Sequence, residues 1–264
     1  MLRFYTLPPR NINHPYLFVN VRNSKELYRR EFEHAICDCG VYYFHMNPNV
    51  DDYPEGYLSR YLENAKILSR RFKNRLLITI PDYPDDYNPG QFGDNVSKTF
   101  ENIYRFAGIK GINWLPTIQA KYLNAKSFTE ACRNLKEIDD FRHVAIGTVC
   151  KTKKLFFIKR CCGIARSFFP DAWIHAFGLT LNAIVHVTHL IDSFDSMAWT
   201  FPRHPGRWSA KNQRERVEYF RAYIKLTKKY AKACKTQSLW KFISNQKERQ
   251  NGDYKNYTTL DDFH

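Results

Sequence analysis

The chain has 264 residues, 44% of them hydrophobic, which is enough for a real core in one large domain or two small ones and argues against global disorder. No run of eighteen or more apolar residues occurs, and the first ten residues hold neither an apolar stretch nor a small-residue cleavage site, which disfavours a membrane span and a secretory signal. With 41 Lys and Arg against 26 Asp and Glu the net charge is +15, so a polyanion is the first partner to consider, since basic side chains neutralise phosphates and release counterions.

In chain order, short β-branched or aromatic runs alternate with helix-like stretches. Strands are predicted over 16–21 and 34–38, followed by a helix over 57–71, and then in turn by a strand over 76–80, a helix over 94–107, a strand over 113–119 and a helix over 127–138. The alternation continues with a strand over 143–149, a helix over 156–168, a strand over 172–177, a helix over 181–189 and a strand over 190–194. Repeated strand-then-helix order predicts an α/β fold with a parallel sheet. Seven predicted strands fit a (β/α)₈ TIM-type barrel, irregular or minimal, with one strand unassigned; an open doubly wound sheet is the alternative. Residues 1–202 form the barrel in this reading.

Residues 203–264 are expected to be a basic helical segment packed on that barrel. They carry 15 Lys and Arg against 6 Asp and Glu. Within them Val217, Phe220, Ile224, Tyr230 and Ala231 fall near a helical period over 212–235, with basic residues around the rest. Such a face is either simply solvated or laid along a nucleic-acid backbone. From about residue 246 the chain loses its periodicity and is expected to be loose.

The seven cysteines are an odd count with no C-x-x-C spacing, which speaks against a disulfide framework or a four-cysteine zinc site and for a reducing, cytoplasmic setting. Cys161-Cys162 reads as helix packing, and His186 with His189 as one helix face. No glycine-rich G-x-G-x-x-G or Walker loop follows any predicted strand, and no metal or other cofactor is expected.

Several predicted strands end in a polar residue followed at once by turn chemistry. They are Ile36-Cys37-Asp38-Cys39-Gly40, Ile80-Pro81-Asp82, Thr117-Ile118-Gln119, Ile146-Gly147-Thr148, His175-Ala176-Phe177-Gly178 and Ile191-Asp192-Ser193-Phe194-Asp195-Ser196. In a parallel barrel these ends share the face that carries active sites. Taken singly, an Asp there is an ordinary helix cap or turn former, and His175 an ordinary hydrogen-bonded strand histidine. Together they suggest paired carboxylates for chemistry at an anomeric carbon, with an Asp and a Gln left to read the edge of a planar base and aromatic rings to stack on it. Paired carboxylates also suit a glycosidase acting on sugars, which has no need of the basic C-terminal quarter.

From about Ala35 to Arg203, by motif order and spacing, the chain resembles the tRNA-guanine transglycosylase superfamily, and more closely its shorter members that insert 7-deazaguanines into DNA. Asp38-Cys39-Gly40-Val41-Tyr42 resembles that family's Asp-Ser-Gly-Gly-Phe/Tyr loop, Gln119 its Val-Gln-Gly strand end, and Ala145-Ile146-Gly147 its Ile-Gly-Gly segment. His175-Ala176-Phe177-Gly178 resembles the segment before the nucleophile, Ile191–Ser196 the nucleophile segment itself, and Asp195-Ser196-x-x-Trp199 the DNA-modifying relatives. The resemblance implies Asp195 as the nucleophile at C1′ of a guanosine and Asp38 as the group that takes a proton from the incoming base. It also implies Asp82, Gln119 and the Gly147 backbone as readers of the base edge, Tyr42 and Phe177 as flanking rings, and Gly178 beside them. Arg203, Arg207 and Lys211 follow as candidates for phosphate contacts.

Cys39, Val41, Ala120 and Thr148 depart from the family's pattern, which bears on base choice more than on the nucleophile. The C-x-C-x-x-C…His zinc element of the tRNA enzymes has no counterpart here, which favours DNA over tRNA. The expected partners are thus nucleic acid and a 7-deazaguanine, such as the cyano-deazaguanine precursor of queuosine, with accessory DNA-modification proteins as further candidates. The alternatives are the same exchange on tRNA or other RNA, and a catalytically silent relative that binds nucleic acid.

Overall fold

The computed structural model describes residues 2–45, 52–85, 93–150, 152–200 and 212–250, with side chains described as far as residue 233. Among the described residues the fold is mixed α/β, and every pairing between strands is parallel. Its strands are β1 (Arg3–Tyr5), β2 (Tyr16–Asn20), β3 (His34–Asp38), β4 (Leu76–Thr79), β5 (Trp114–Leu115), β6 (Thr117–Ile118), β7 (His143–Ile146), β8 (Trp173–Ala176) and β9 (Ser193–Asp195). Two sheets result, one ordered β2-β3-β4-β5 and the other β1-β9-β8-β7-β6. Leu76, Leu77, Ile78 and Thr79 are all buried. Such continuous burial is expected of parallel strands covered on both faces, and it explains why they read as unbroken apolar runs.

The two sheets meet at both edges. At one, the single predicted strand over 113–119 is split by Pro116, which has no N–H to give to a ladder. Its first half pairs with β4 and its second with β7, and the Pro116 carbonyl accepts from Ala145 N at 2.9 Å. At the other, Thr6 just beyond β1 bridges Leu17 of β2, donating to Tyr16 O at 3.2 Å and accepting from Phe18 N at 3.1 Å. β1 is absent from the sequence-based assignment, because three residues are too short a run for periodicity to register.

Helices α1 (Glu26–Arg29), α2 (Val41–His45), α3 (Tyr57–Phe72), α4 (Asn95–Ala107), α5 (Ala125–Ile138), α6 (Leu155–Phe168) and α7 (Leu181–Val187) fill the connections. Their starts are chemically marked: Asp94 caps α4 through Ser97 N, Asn124 caps α5 through Ser127 N, and Thr180 caps α7 through Ala183 N. α5 buries Phe128, Ala131, Cys132 and Leu135, an i, i+3, i+4, i+7 stripe. Cys161 and Cys162 are buried on α6 as packing residues, and α7 ends before His189. α8 (Gln213–Gln250) packs on α7, with Phe220 and Tyr223 buried and Trp199 edge-on to Phe220 at 5.3 Å. It therefore runs past residue 246, where the sequence loses its periodicity; residues 251–264 lie outside the described residues.

Two apolar clusters organise the interior. The larger lies between strands and helices. The smaller consists of Tyr5, Ile36, Leu77, Leu115, Ala145 and Phe177, with Phe18 and Trp173 packed against it, so it draws on strands of both sheets. No described helix is long and apolar enough to cross a membrane.

Candidate functional site

Side chains alternate along a strand with a period of two, and this places the candidate residues. Ile36, Leu115, Ala145 and Phe177 belong to the smaller cluster. Asp38, Gln119 and Gly147 follow the first three by two or four residues, so they share that cluster's face one step further along. His175 and Phe177 share a face in the same way, as do Ser193 and Asp195. The same parity puts Asp192 on the other face, where its Oδ2 accepts from Arg166 Nη2 at 2.7 Å and from Ile174 N at 2.9 Å.

Asp195 is 9% exposed. Among the described residues both its hydrogen bonds fall on Oδ1, one donated by Gly178 N at 2.9 Å and one shared with His175 Nε2 at 3.2 Å. Gly178 can make its bond because it adopts φ +61°, and a Cβ there would lie 2.5 Å from Cys150 Sγ. His175 is wholly buried, with Nδ1 2.7 Å from Ser193 Oγ. The sequence marks it as a hydrogen-bonded strand histidine; the fold makes the nucleophile candidate one of its partners.

Asp38 keeps some accessible surface but is packed around by protein, with Oδ2 accepting from Gly40 N at 2.8 Å. Burial pushes its carboxyl up to about 7, aided by the negative charges of Asp82 and Asp195 and opposed by the Gly40 and Cys39 amides. Asp38 and Asp195, 157 positions apart in the chain, are thus within electrostatic reach of one another.

Asp82 and Gln119 are 5% and 2% exposed and directly joined, Gln119 Nε2 donating to Asp82 Oδ2 at 2.6 Å. Cys39 Sγ donates to Asp82 Oδ1 at 3.4 Å, Tyr53 Oη donates to Asp82 O at 2.9 Å, and Cys39 N donates to Thr79 Oγ1 at 2.8 Å. Gly147 lies against this pair so closely that a Cβ would stand 2.2 Å from Gln119 Nε2 and 2.6 Å from Thr117 Cγ2. Around it, Gln119 Oε1, Thr117 Oγ1 and Thr148 Oγ1 are buried with no hydrogen-bond partner among the described residues. Buried acceptors and hydroxyls of this kind call for a polar ligand or water.

Phe177 stands edge-on to His175 at 4.8 Å and to Phe18 at 6.0 Å. Tyr42 sits half-buried on α2, its ring 5.9 Å from that of His45. Arg203, Arg207 and Lys211 lie outside the described residues. Sequence reasoning missed Ser193, Thr79 and Tyr53; the signal available for Ser193 was its parity with Asp195, while Tyr53 and Thr79 carry none. A cavity of about 580 Å³ lined by Leu58, Leu62, Arg105, Phe106 and Ile109 lies on α3 and the α4 region, which contribute none of the candidate residues. Among the described residues no group of three or more His, Cys, Asp or Glu is arranged to hold a metal ion. Neither a model of any known protein family nor any curated protein matches the chain.

Proposed function

We propose that the chain is a transglycosylase that exchanges guanine in DNA for a 7-deazaguanine through a covalent glycosyl-Asp195 intermediate. The observation that carries this reading is a carboxyl group, Asp195, held through one oxygen by the Gly178 N–H and the His175 ring, within reach of a second carboxyl, Asp38, pushed up to about 7. A pair of carboxyls in which one is pushed up suits a substitution at an anomeric carbon, where one attacks and the other moves a proton.

In this mechanism Asp195 Oδ2 attacks C1′ of the guanosine. The C1′–N9 bond breaks, its electron pair leaves with guanine, and Asp38 delivers the proton that N9 needs. The incoming 7-deazaguanine then gives its N9 proton to Asp38 while that nitrogen attacks C1′, and Asp195 departs as a carboxylate. A carboxyl near neutrality gives and takes the proton with little penalty either way. Asp82, Gln119 and the Gly147 backbone are assigned to the polar edge of the base, with Phe177 and Tyr42 beside its faces. The buried, unpartnered atoms around Gly147 support that assignment.

We read the two sheets as one closed (β/α)₈ barrel. Residues 114–118 then count as one strand interrupted at Pro116, the Thr6–Leu17 bridge joins the other edges, and the smaller apolar cluster is the barrel's filling. For the nucleic acid, support comes from α8. Arg214, Arg221, Lys225, Lys228 and Lys232 are exposed on the face opposite Phe220, Tyr223 and Thr227. A base within a duplex has to be extruded before this chemistry, so a single-stranded or flipped nucleotide is the substrate form.

The test is denaturing gel mobility of the protein mixed with single-stranded DNA or with tRNA, each with and without 7-cyano-7-deazaguanine, with Asp195→Asn as control. An adduct on DNA that Asp195→Asn abolishes is the expected result. Adduct on tRNA alone moves the exchange to RNA. Folded protein giving neither adduct nor base incorporation overturns the enzyme in favour of a nucleic-acid-binding relative.

A further inference from the structure

His175 stands between Ser193 and Asp195, in contact with both, and its part in the exchange rests on the function proposed above and extends it. The imidazole of His175 stacks on Phe18, 10° from parallel with centroids 6.3 Å apart, and on Trp173, at 19° and 5.8 Å. Phe177 and Tyr5 meet it edge-on at 77° and 85°. Inside this cage its hydrogen-bond partners among the described residues are Ser193 Oγ at Nδ1 and Asp195 Oδ1 at Nε2. The ladder explains the alignment: His175 is the register partner of Ser193, and Asp195 stands two residues further on the same face.

An ionised carboxylate only accepts, so the hydrogen between His175 and Asp195 belongs to Nε2. In a neutral imidazole Nδ1 is then an acceptor, and the Ser193 hydroxyl is the donor that fills it. We infer that Ser193 and His175 form a buried positioning relay, in which Ser193 holds His175 as its Nε2–H tautomer and His175 holds Asp195 by Oδ1.

The relay acts unequally on the two halves of the exchange. Gly178 N–H is the second donor on Oδ1, which leaves Oδ2 as the attacking atom. In the glycosyl ester Oδ1 is the carbonyl oxygen. When the ester breaks, the C1′–Oδ2 electron pair returns to Asp195 and negative charge spreads onto Oδ1, where two fixed N–H groups receive it. Attack withdraws charge from the same oxygen. His175 keeps its proton throughout, and the protons of the exchange pass through Asp38. Departure of Asp195 thus depends on His175 more than its attack does.

Two measurements test this. Nitrogen NMR of the full chain labelled at histidine reads the tautomer of His175 directly, with no need of activity. The expected spectrum is protonated at Nε2 and bare at Nδ1, and Ser193→Ala, which fits the same space, is expected to shift it. Protonation at Nδ1 in the wild type, or a spectrum unmoved in Ser193→Ala, overturns the relay.

The second measurement follows adduct formation, and then adduct breakdown on addition of 7-cyano-7-deazaguanine. His175→Leu is expected to slow breakdown about 10- to 100-fold, the usual range for outer hydrogen bonds that orient a reacting group, and to slow formation less. His175→Gln, which keeps an N–H donor, is expected to recover most of the breakdown rate. A purely structural loss lowers the amount of reacting protein and leaves the ratio of the two rates unchanged; that outcome overturns the relay. Wild-type protein that forms no adduct on DNA or tRNA overturns the transglycosylase reading instead, while the NMR result still decides how His175 is held.

Discussion

Gln119 Nε2 donates to Asp82 Oδ2 across 2.6 Å, tying together two strand ends 37 residues apart in the chain. Gly147 makes room for that bond, since a Cβ there would lie 2.2 Å from the donating nitrogen. Gly147→Ala is therefore expected to displace Gln119 and to cost about 1–3 kcal/mol, as overpacking of a tight site does. In a Gln119→Ala background the same substitution is expected to cost less, with only the approach to Thr117 Cγ2 at 2.6 Å left to relieve. Urea unfolding of the two single variants and the double variant checks this, and additive losses would show that the two residues do not meet.

The Asp38 carboxyl, pushed up to about 7 by burial and by Asp82 and Asp195, has a signature in both stability and rate. An aspartyl side chain in an unfolded chain titrates near pH 3.9, so between roughly pH 4 and 7 the folded state keeps a proton that the unfolded state has lost. The stability from this group is full below the unfolded value, falls as pH rises through that window, and levels off above 7. Asp38→Asn is expected to flatten that fall in melts recorded across the window and to abolish base exchange. A variant whose stability falls as steeply as the wild type's would place the titration elsewhere.

Gly178 combines a left-handed backbone with close approach, at φ +61° and with a Cβ position 2.5 Å from Cys150 Sγ and 2.8 Å from Cys150 O. Gly178→Ala is expected to move its amide off Asp195 Oδ1 and to slow adduct breakdown about 100-fold, the usual effect of losing one fixed donor where negative charge develops. Adding Cys150→Ala relieves only the sulfur clash. The double variant is expected to stay impaired in the gel assay, and full recovery would refute a backbone origin.

Asp192 is the control carboxylate. It lies three residues before Asp195 yet accepts from Arg166 and from Ile174 N on the opposite face. Asp192→Ala is expected to lower unfolding free energy by about 1–2 kcal/mol, the worth of hydrogen bonds to a charged group reduced by the solvent that reaches this pair. Adduct formation per folded molecule is expected to stay unchanged, and a selective loss of adduct would argue that Asp192 belongs to the chemistry.

Much of this architecture was legible in one dimension. Parallel strands buried on both faces have to be apolar runs, so 34–38, 76–80 and 143–149 stood out, whereas the caps at Asp94, Asn124 and Thr180 emerged only with the helices they start. The polar ends Asp38, Gln119, Gly147 and Asp195 were readable for the same reason, as breaks in apolar runs. β1 was not, because Arg3–Tyr5 is defined by its partner β9 rather than by a pattern of its own.

What the sequence by itself determined is local: which segments are strands and helices, and which strand ends are polar. Tertiary structure alone decided what those ends meet. The Asp82–Gln119 bond, the convergence of His175 and Gly178 on one oxygen of Asp195, and the displaced titration of Asp38 depend on distances between residues far apart in the chain. Hydrogen bonds and desolvation act over a few ångströms of space, and spacing along a sequence says nothing about that distance until parallel pairing has set the register.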